Sequence, residues 1–194
     1  MSTIIFDVGN VIIKADDAIT HRILSGYGVP RDRVKTFFEN DEYKEFSRGN
    51  INGEEFYRAL INRYLRFRLT YTQVVHAHNE HMYGVDSDVV DVIKKLLPNH
   101  RIVFLTDTNE WQTERERELI DLRNYSDFIF RSNEMHMLKS DDGTFPYVLA
   151  QLKVDPNEVL VVDDSPEKIR KASHYGLNTL QFKSSKQLTT ALDF

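Results

Sequence analysis

The sequence predicts an open, doubly wound parallel α/β sheet with an inserted helical lobe. Three features lead there. Short apolar runs rich in β-branched residues recur along the chain, several end in a carboxylate, and segments of helical periodicity alternate with them. Parallel strands cannot be joined by tight turns, so this alternation implies right-handed crossovers through helices.

Thr3-Ile4-Ile5-Phe6 suits a strand buried on both faces, with Asp7 at its carboxyl end. Similar runs lie at Ile102-Val103-Phe104-Leu105, Val159-Leu160-Val161-Val162 and Thr179-Leu180-Gln181-Phe182, with a shorter one at Phe128-Ile129-Phe130. Ser87 is placed to cap a helix whose apolar positions Val89, Val92, Ile93, Leu96 and Leu97 share a face, ending before Pro98. Another helix begins at Ser165-Pro166 and ends at Gly176. Between the first strand and Ser87, roughly seventy residues carry helix signals and no convincing strand. Within them Asn52-Gly53-Glu54-Glu55 reads as a capping box, and Phe56, Leu60, Ile61, Tyr64 and Leu65 form a helical stripe suited to a bundle core. The expected division is an α/β core of residues 1–14 and 87–194, and a helical cap of residues 15–86.

With 194 residues, 41% of them hydrophobic, the chain has material for one substantial core and a smaller lobe. A net charge of -5 opposes broad attraction to phosphate backbones, so no nucleic-acid partner is expected. The absence of cysteine excludes disulfides, thiolate nucleophiles and cysteine-ligated zinc, and suits a reducing cytoplasm. No basic amino-terminal flank and no long apolar window point to a membrane, so a soluble cytoplasmic protein is expected.

In open α/β sheets ligands bind beyond the carboxyl ends of the strands, where strand order reverses. The residues following the apolar runs are Asp7, Gly9 and Asn10, then Thr106 and Asp107, then Asp163 and Asp164, with Lys139 in the connection between the last two runs. Three converging carboxylates would repel by up to about 4 kcal/mol per close pair at an effective dielectric of 20, a penalty that a divalent cation removes. Oxygen donors without cysteine or a histidine triad favour magnesium over zinc. Given metal and lysine, a carboxylate placed like Asp7 can attack phosphorus and form an aspartyl-phosphate that water cleaves. Thr106 could donate its hydroxyl to phosphate, and Lys139 could hold both nucleophile and phosphoryl group.

Phe6-Asp7-Val8-Gly9-Asn10-Val11, Leu105-Thr106-Asp107-Thr108-Asn109, Lys139 and Val162-Asp163-Asp164-Ser165-Pro166 resemble the four ordered motifs of the haloacid dehalogenase superfamily. The likeness spans nearly the whole chain and is greatest to the subgroup with a helical cap after the first motif and an Asp-x-Gly-Asn signature, which includes sugar-1-phosphate phosphatases. It implies a magnesium-dependent phosphatase of small phosphorylated metabolites. Asp7 is then nucleophile and metal ligand, the Gly9 carbonyl a second ligand, and Asp164, supported by Asp163, completes the protein's share. Thr106 and Lys139 bind phosphate in this scheme, with Asn10 and Asp107 as further substrate-binding candidates.

Two positions depart from the family pattern. Gly9 stands where most phosphatases of the superfamily carry the aspartate that protonates the leaving group, and Lys139 is followed by Ser140 rather than proline. Loss of a general acid typically costs about 10²- to 10⁴-fold. Either the substrates have leaving groups that need little protonation, or another carboxyl such as Asp16 or Asp17 substitutes. A non-catalytic scaffold and a 2-haloacid dehalogenase-like hydrolase are the alternatives; the latter class also lacks that aspartate but uses no magnesium. A response-regulator receiver fits less well, because its acidic pair should follow the first strand.

Other signals have plainer readings. His76, His78 and His81 read as part of a solvated helix, Glu114 to Glu118 as a solvated charged face, Phe37, Phe38, Tyr43 and Phe46 as core, and one of Asp16 and Asp17 as a helix cap.

Overall fold

The computed structural model of the chain describes residues 2–192. Its strands are β1 (Thr3–Phe6), β2 (Ile13–Ala15), β3 (Met82–Val85), β4 (Arg101–Thr106), β5 (Ile129–Arg131), β6 (Val159–Asp163) and β7 (Asn178–Gln181). The α-helices are α1 (Asp17–Gly26), α2 (Arg31–Val34), α3 (Asp41–Ser47), α4 (Gly53–Ala59), α5 (Tyr71–Asn79), α6 (Ser87–Leu96), α7 (Glu110–Leu119), α8 (Ser132–Met135), α9 (Thr144–Leu152), α10 (Pro166–His174) and α11 (Ser185–Ala191).

Five strands form one sheet in the order β5-β4-β1-β6-β7, with every pair parallel. The apolar runs are apolar because helices cover both faces. Ile4 and Phe6 of β1 share a buried cluster with Val89, Ile93 and Leu96 of α6, whereas Ile5 lies with Phe145 and Val148 of α9 and Ala172 of α10. From β1 the chain builds outward through β4 to β5 and then resumes on the opposite side with β6, so the order reverses between β1 and β6. A crevice opens at the carboxyl ends of such a pair.

One expectation fails within the helical stretch. Residues 13–15 and 82–85 are strands, β2 and β3, paired antiparallel in a two-stranded ribbon at either end of the run of helices α1 to α5. Both are too short to show an alternating pattern, and β3 contains Gly84, so their pairing comes from tertiary contact. The cap of α6 also moves by one residue: Asp86 accepts from the Asp88 and Val89 amides, and Ser87 is the first helical residue.

The lobe helices bury Leu24, Phe37, Phe46, Phe56, Leu60 and Val74 around Trp111, which α7 supplies from outside the lobe. Phe46 and Phe56 stack at 4.9 Å, and Trp111 meets both edge-on while donating Nε1–H to the Tyr71 hydroxyl at 2.8 Å. A Cβ on Gly53 would lie 2.3 Å from Trp111 Nε1, so the first residue of α4 must be glycine. Capping boxes at Asn52/Glu55 and Thr70/Gln73 start α4 and α5.

Two sequence readings are corrected here. His78 and His81 are buried against the aromatic cluster, because residues far apart in sequence close over them. Likewise Glu116 is buried, paired to Arg131 at 2.6 Å with 3% and 8% of the two side chains exposed.

The Tyr43 hydroxyl donates to His78 Nε2 at 3.4 Å, and His78 Nδ1–H donates to Asn79 Oδ1 at 2.9 Å, which satisfies a neutral ring. Burial, with His81 nearby, pushes the His78 pKa down to about 3. An unfolded histidine protonates near 6.5, so the folded chain binds fewer protons through this ring between about pH 3 and 6.5. The stability it contributes is complete above pH 6.5 and is lost as pH falls towards 3. We expect imidazole ¹⁵N shifts of His78 to show no titration between pH 8 and 5; a midpoint near 6.5 would contradict the buried neutral ring. Glu116→Ala should cost about 3–5 kcal/mol in chemical denaturation, since it leaves the Arg131 guanidinium buried without its nearest partner.

Candidate active site

The reversal point between β1 and β6 brings Asp7, Asp163 and Asp164 together. Register pairs Phe6 with Val162, and the Asp7 amide donates to the Val162 carbonyl at 2.9 Å, so the residue after β1 lies beside the end of β6. Ligand atoms from all three carboxylates lie within 4.8 Å of one another. Lys139 enters from the segment between α8 and α9, its ammonium 2.8 Å from Asp7 Oδ1 and 2.6 Å from Asp163 Oδ2, and it is 3% exposed.

Backbone groups hold these side chains. Val8 N–H donates to Asp7 Oδ1 at 2.7 Å, and Ser165 N–H donates to Asp163 Oδ1 at 2.9 Å. Leu138 and Lys139 lie on a turn closed by Asp141 N–H to the Leu138 carbonyl. Its Asp141 carboxylate accepts from Leu138 N–H at 2.9 Å and from the fork of Arg48 in the helical lobe at 2.9 and 3.1 Å. The turn is thus braced by a carboxylate and an arginine without the family's usual proline.

Burial lifts the Asp7 carboxyl to about 7, with Lys139 pulling it down and Asp163 pushing it up. Asp164 is also raised, first by burial and then by Asp163, while Lys139 and a hydrogen bond from Asn10 oppose the rise. Burial works against the Lys139 ammonium, but Asp7, Asp163 and Asp107 more than reverse this and hold it charged. Three carboxylates face a single buried ammonium, a donor set of hard oxygens with a charge deficit that suits a divalent cation such as magnesium.

These groups line an open cavity of about 240 Å³. Asp107 is there, but its carboxylate is spoken for: Lys139 N–H donates to Oδ1 at 2.7 Å and Lys168 Nζ donates to Oδ2 at 2.6 Å. Asn10 adopts the left-handed conformation at φ 54, and its Oδ1 accepts from Ala15 N–H at 3.1 Å, so much of its side chain serves the local turn. Thr106 is buried and lines a smaller adjoining chamber of about 40 Å³ with Gly9 and His81, not the larger cavity. Gly9 has no left-handed backbone, and a Cβ built on it meets nothing within 4 Å. Its place in the sequence is therefore not forced by conformation or crowding.

Sequence reasoning missed Lys168, Gln112 and His81. The first two are third residues of helices that start beside the site, α10 capped by Ser165 and α7 capped by Asn109. A polar side chain one turn into a helix that follows a site strand was the signal available. His81 lies just before β3, with Nδ1 bonded to the His78 carbonyl and Nε2 3.3 Å from Gln112 Nε2.

The model of haloacid dehalogenase-like hydrolases matches residues 4–182. A D-ribitol-5-phosphate phosphatase from Bacteroides thetaiotaomicron is 26% identical over 189 residues, covering 93% of this chain and 91% of that protein. Among solved structures, a HAD family enzyme from the same organism, in complex with magnesium and inorganic phosphate, superposes with TM-score 0.86 at 20% identity over 94% of each chain. A predicted HAD-like family hydrolase from Porphyromonas gingivalis does so with TM-score 0.86 at 24% identity, over 100% of this chain and 98% of that one. Sheet order, ordered motifs and the match across most of the sequence agree: the chain belongs to the haloacid dehalogenase-like hydrolase family.

Proposed function

We propose that this chain is a magnesium-dependent phosphatase that hydrolyses a small phosphorylated metabolite, a sugar or polyol phosphate, through an aspartyl-phosphate on Asp7. The observation that carries this reading is Lys139 in contact with both Asp7 and Asp163, beside Asp164, in an open polar cavity at the reversal of strand order. Asp7 projects from the rigid end of the central strand, and Lys139 opposes the rise that burial imposes on its carboxyl, favouring the ionised form that attack on phosphorus requires. The same ammonium would attract the incoming phosphate, and Thr106, from the adjoining chamber, and the Gly9 and Asp107 amides would be further donors to its oxygens. Asp7, Asp164 and the Gly9 carbonyl, with Asp163 behind them, are the residues that would hold magnesium. When bound there, the ion neutralises charge on the phosphoryl group.

The polyol assignment rests on the D-ribitol-5-phosphate phosphatase relative and on the polar lining of the cavity. In this reading the lobe of residues 15–86 selects the leaving group.

Asp7→Asn should abolish turnover of D-ribitol 5-phosphate and of 4-nitrophenyl phosphate with the circular dichroism spectrum unchanged. Activity within tenfold of wild type would remove Asp7 from the nucleophile's role. Magnesium at a hundredfold its Kd should stabilise the native chain by about 2.7 kcal/mol, a rise of roughly 5–10 °C in Tm. Asp164→Asn should lose most of that rise; an undiminished shift would place the ion elsewhere.

A further inference from the structure

We propose that Asp17, the first residue of α1, is the general acid that replaces the missing carboxyl at position 9, an inference that rests on the phosphatase reading above. Most protonatable groups around the cavity are already engaged. Asp7, Asp163 and Asp164 form the cluster on Lys139. Asp107 is held between Lys168 and the Lys139 amide. Lys139 and Lys168 are each paired with carboxylate. The remaining groups are His81 and Asp17.

His81 is committed as a neutral ring by a chain of hydrogen bonds with one consistent polarity. Asn109 Oδ1 accepts from Gln112 N–H at 3.0 Å, so Asn109 Nδ2 must be the donor to Gln112 Oε1, also at 3.0 Å. That leaves Gln112 Nε2 to donate to His81 Nε2 at 3.3 Å. The other ring nitrogen, Nδ1, faces the His78 carbonyl and must carry the hydrogen. With its lone pair already accepting, His81 has no proton to give to a leaving oxygen.

Asp17 differs from its neighbour in just this respect. The Asp16 carboxylate caps α1, accepting from Ala18 N–H at 2.9 Å, and its own amide donates to the His81 carbonyl. No hydrogen bond or ion pair holds the Asp17 carboxylate among the described residues. Asp17 is exposed at the mouth yet lines the cavity, on the side contributed by the lobe. The titratable groups that face it are His81 and His21, which favour its ionised form, Asp16, which disfavours it, and the buried Tyr43 hydroxyl, whose own ionisation Asp17 opposes; desolvation is the largest influence and the Asp17 pKa is raised.

The chemistry balances. As an Asp7 oxygen bonds to phosphorus, the bond from phosphorus to the leaving oxygen breaks, its electron pair stays on that oxygen, and the Asp17 proton moves there to give the alcohol. Water then attacks the aspartyl-phosphate, Asp17 takes its proton, and the bond between phosphorus and Asp7 breaks to release phosphate and restore both carboxyl groups.

The test compares D-ribitol 5-phosphate, a primary alkyl ester, with 4-nitrophenyl phosphate, whose leaving group needs no proton. Asp17→Asn should lower kcat/KM for the alkyl ester by about 10²- to 10⁴-fold and for the aryl ester by less than about tenfold, and should remove the alkaline limb of the alkyl pH profile. Gly9→Asp, for which the cavity has room, should restore alkyl turnover at least tenfold in the Asp17→Asn background. Equal losses on both esters, or alkyl turnover within tenfold of wild type, would overturn the assignment. So would a wild type that cleaves only the aryl ester, because no acid would then be acting. A wild type that cleaves neither overturns the phosphatase reading itself, and this one with it.

Discussion

The rest of the site depends on one buried charge. Parallel register sets the ends of β1 and β6 side by side, and neighbouring strands are only about 4.8 Å apart, so Asp7 and Asp163 are forced together by the sheet itself. Two carboxylates at that spacing, out of water, would not both ionise. Lys139 makes the arrangement tolerable by touching both, and it must come from outside the β1–β6 pair, because only a side chain arriving over the strand ends can reach the two at once. Its own ionisation is secured by the carboxylates it serves. Charge remains unbalanced even so, since Asp164 adds a third carboxylate and, among the described residues, no second ammonium is paired with the cluster. An open cavity with a standing deficit of positive charge is what an incoming cation and phosphate together would fill.

The helical lobe is tied into this centre at two levels. Below the cavity, Arg48 of the lobe forks onto Asp141, and the same carboxylate holds the Leu138 amide next to Lys139. At the rim, the chain leaving α5 brings His81 against Gln112, while Trp111 of the same α7 turn is buried in the lobe's aromatic cluster. The first turn of α7 therefore reports to both parts of the chain: one residue is packed in the lobe and the next but one residue back, Asn109, fixes the hydrogen-bond polarity at the cavity. A shift of the lobe would disturb the Lys139 turn and the rim together.

Much of the sheet was legible because a strand covered on both faces needs an unbroken apolar run. Thr3–Phe6 and Val159–Asp163 show such runs, and their terminal acids follow directly. The rule that strand order reverses at ligand sites then predicts which strand ends meet. What escaped had no periodic signature. The ribbon of β2 and β3 pairs three or four residues across a gap of more than sixty, too few for an alternation to stand out in either partner. His78 and His81 look like surface residues on a polar helix until Phe37, Phe38, Tyr43 and Trp111 arrive from elsewhere in the chain. Glu116 has the same history: its run alternates charge like any solvated face, yet Arg131 at the end of β5 draws it inward.

Gly9 shows how a sequence departure changes meaning once geometry is known. Read alone, a glycine in a catalytic loop suggests a backbone angle denied to other residues, and the missing carboxyl would then be the unavoidable cost of a turn. The turn's strain falls instead on Asn10, whose φ of 54 is left-handed and whose side chain compensates by accepting from Ala15 N–H. Gly9 is free of that demand, and it lines a small chamber that His81, Thr106 and Gln112 also line. Space vacated on the core side is thus faced by polar groups from the lobe and from α7. His81 and Gln112 are thereby placed by how the lobe packs against α7 rather than by the rigid strand end.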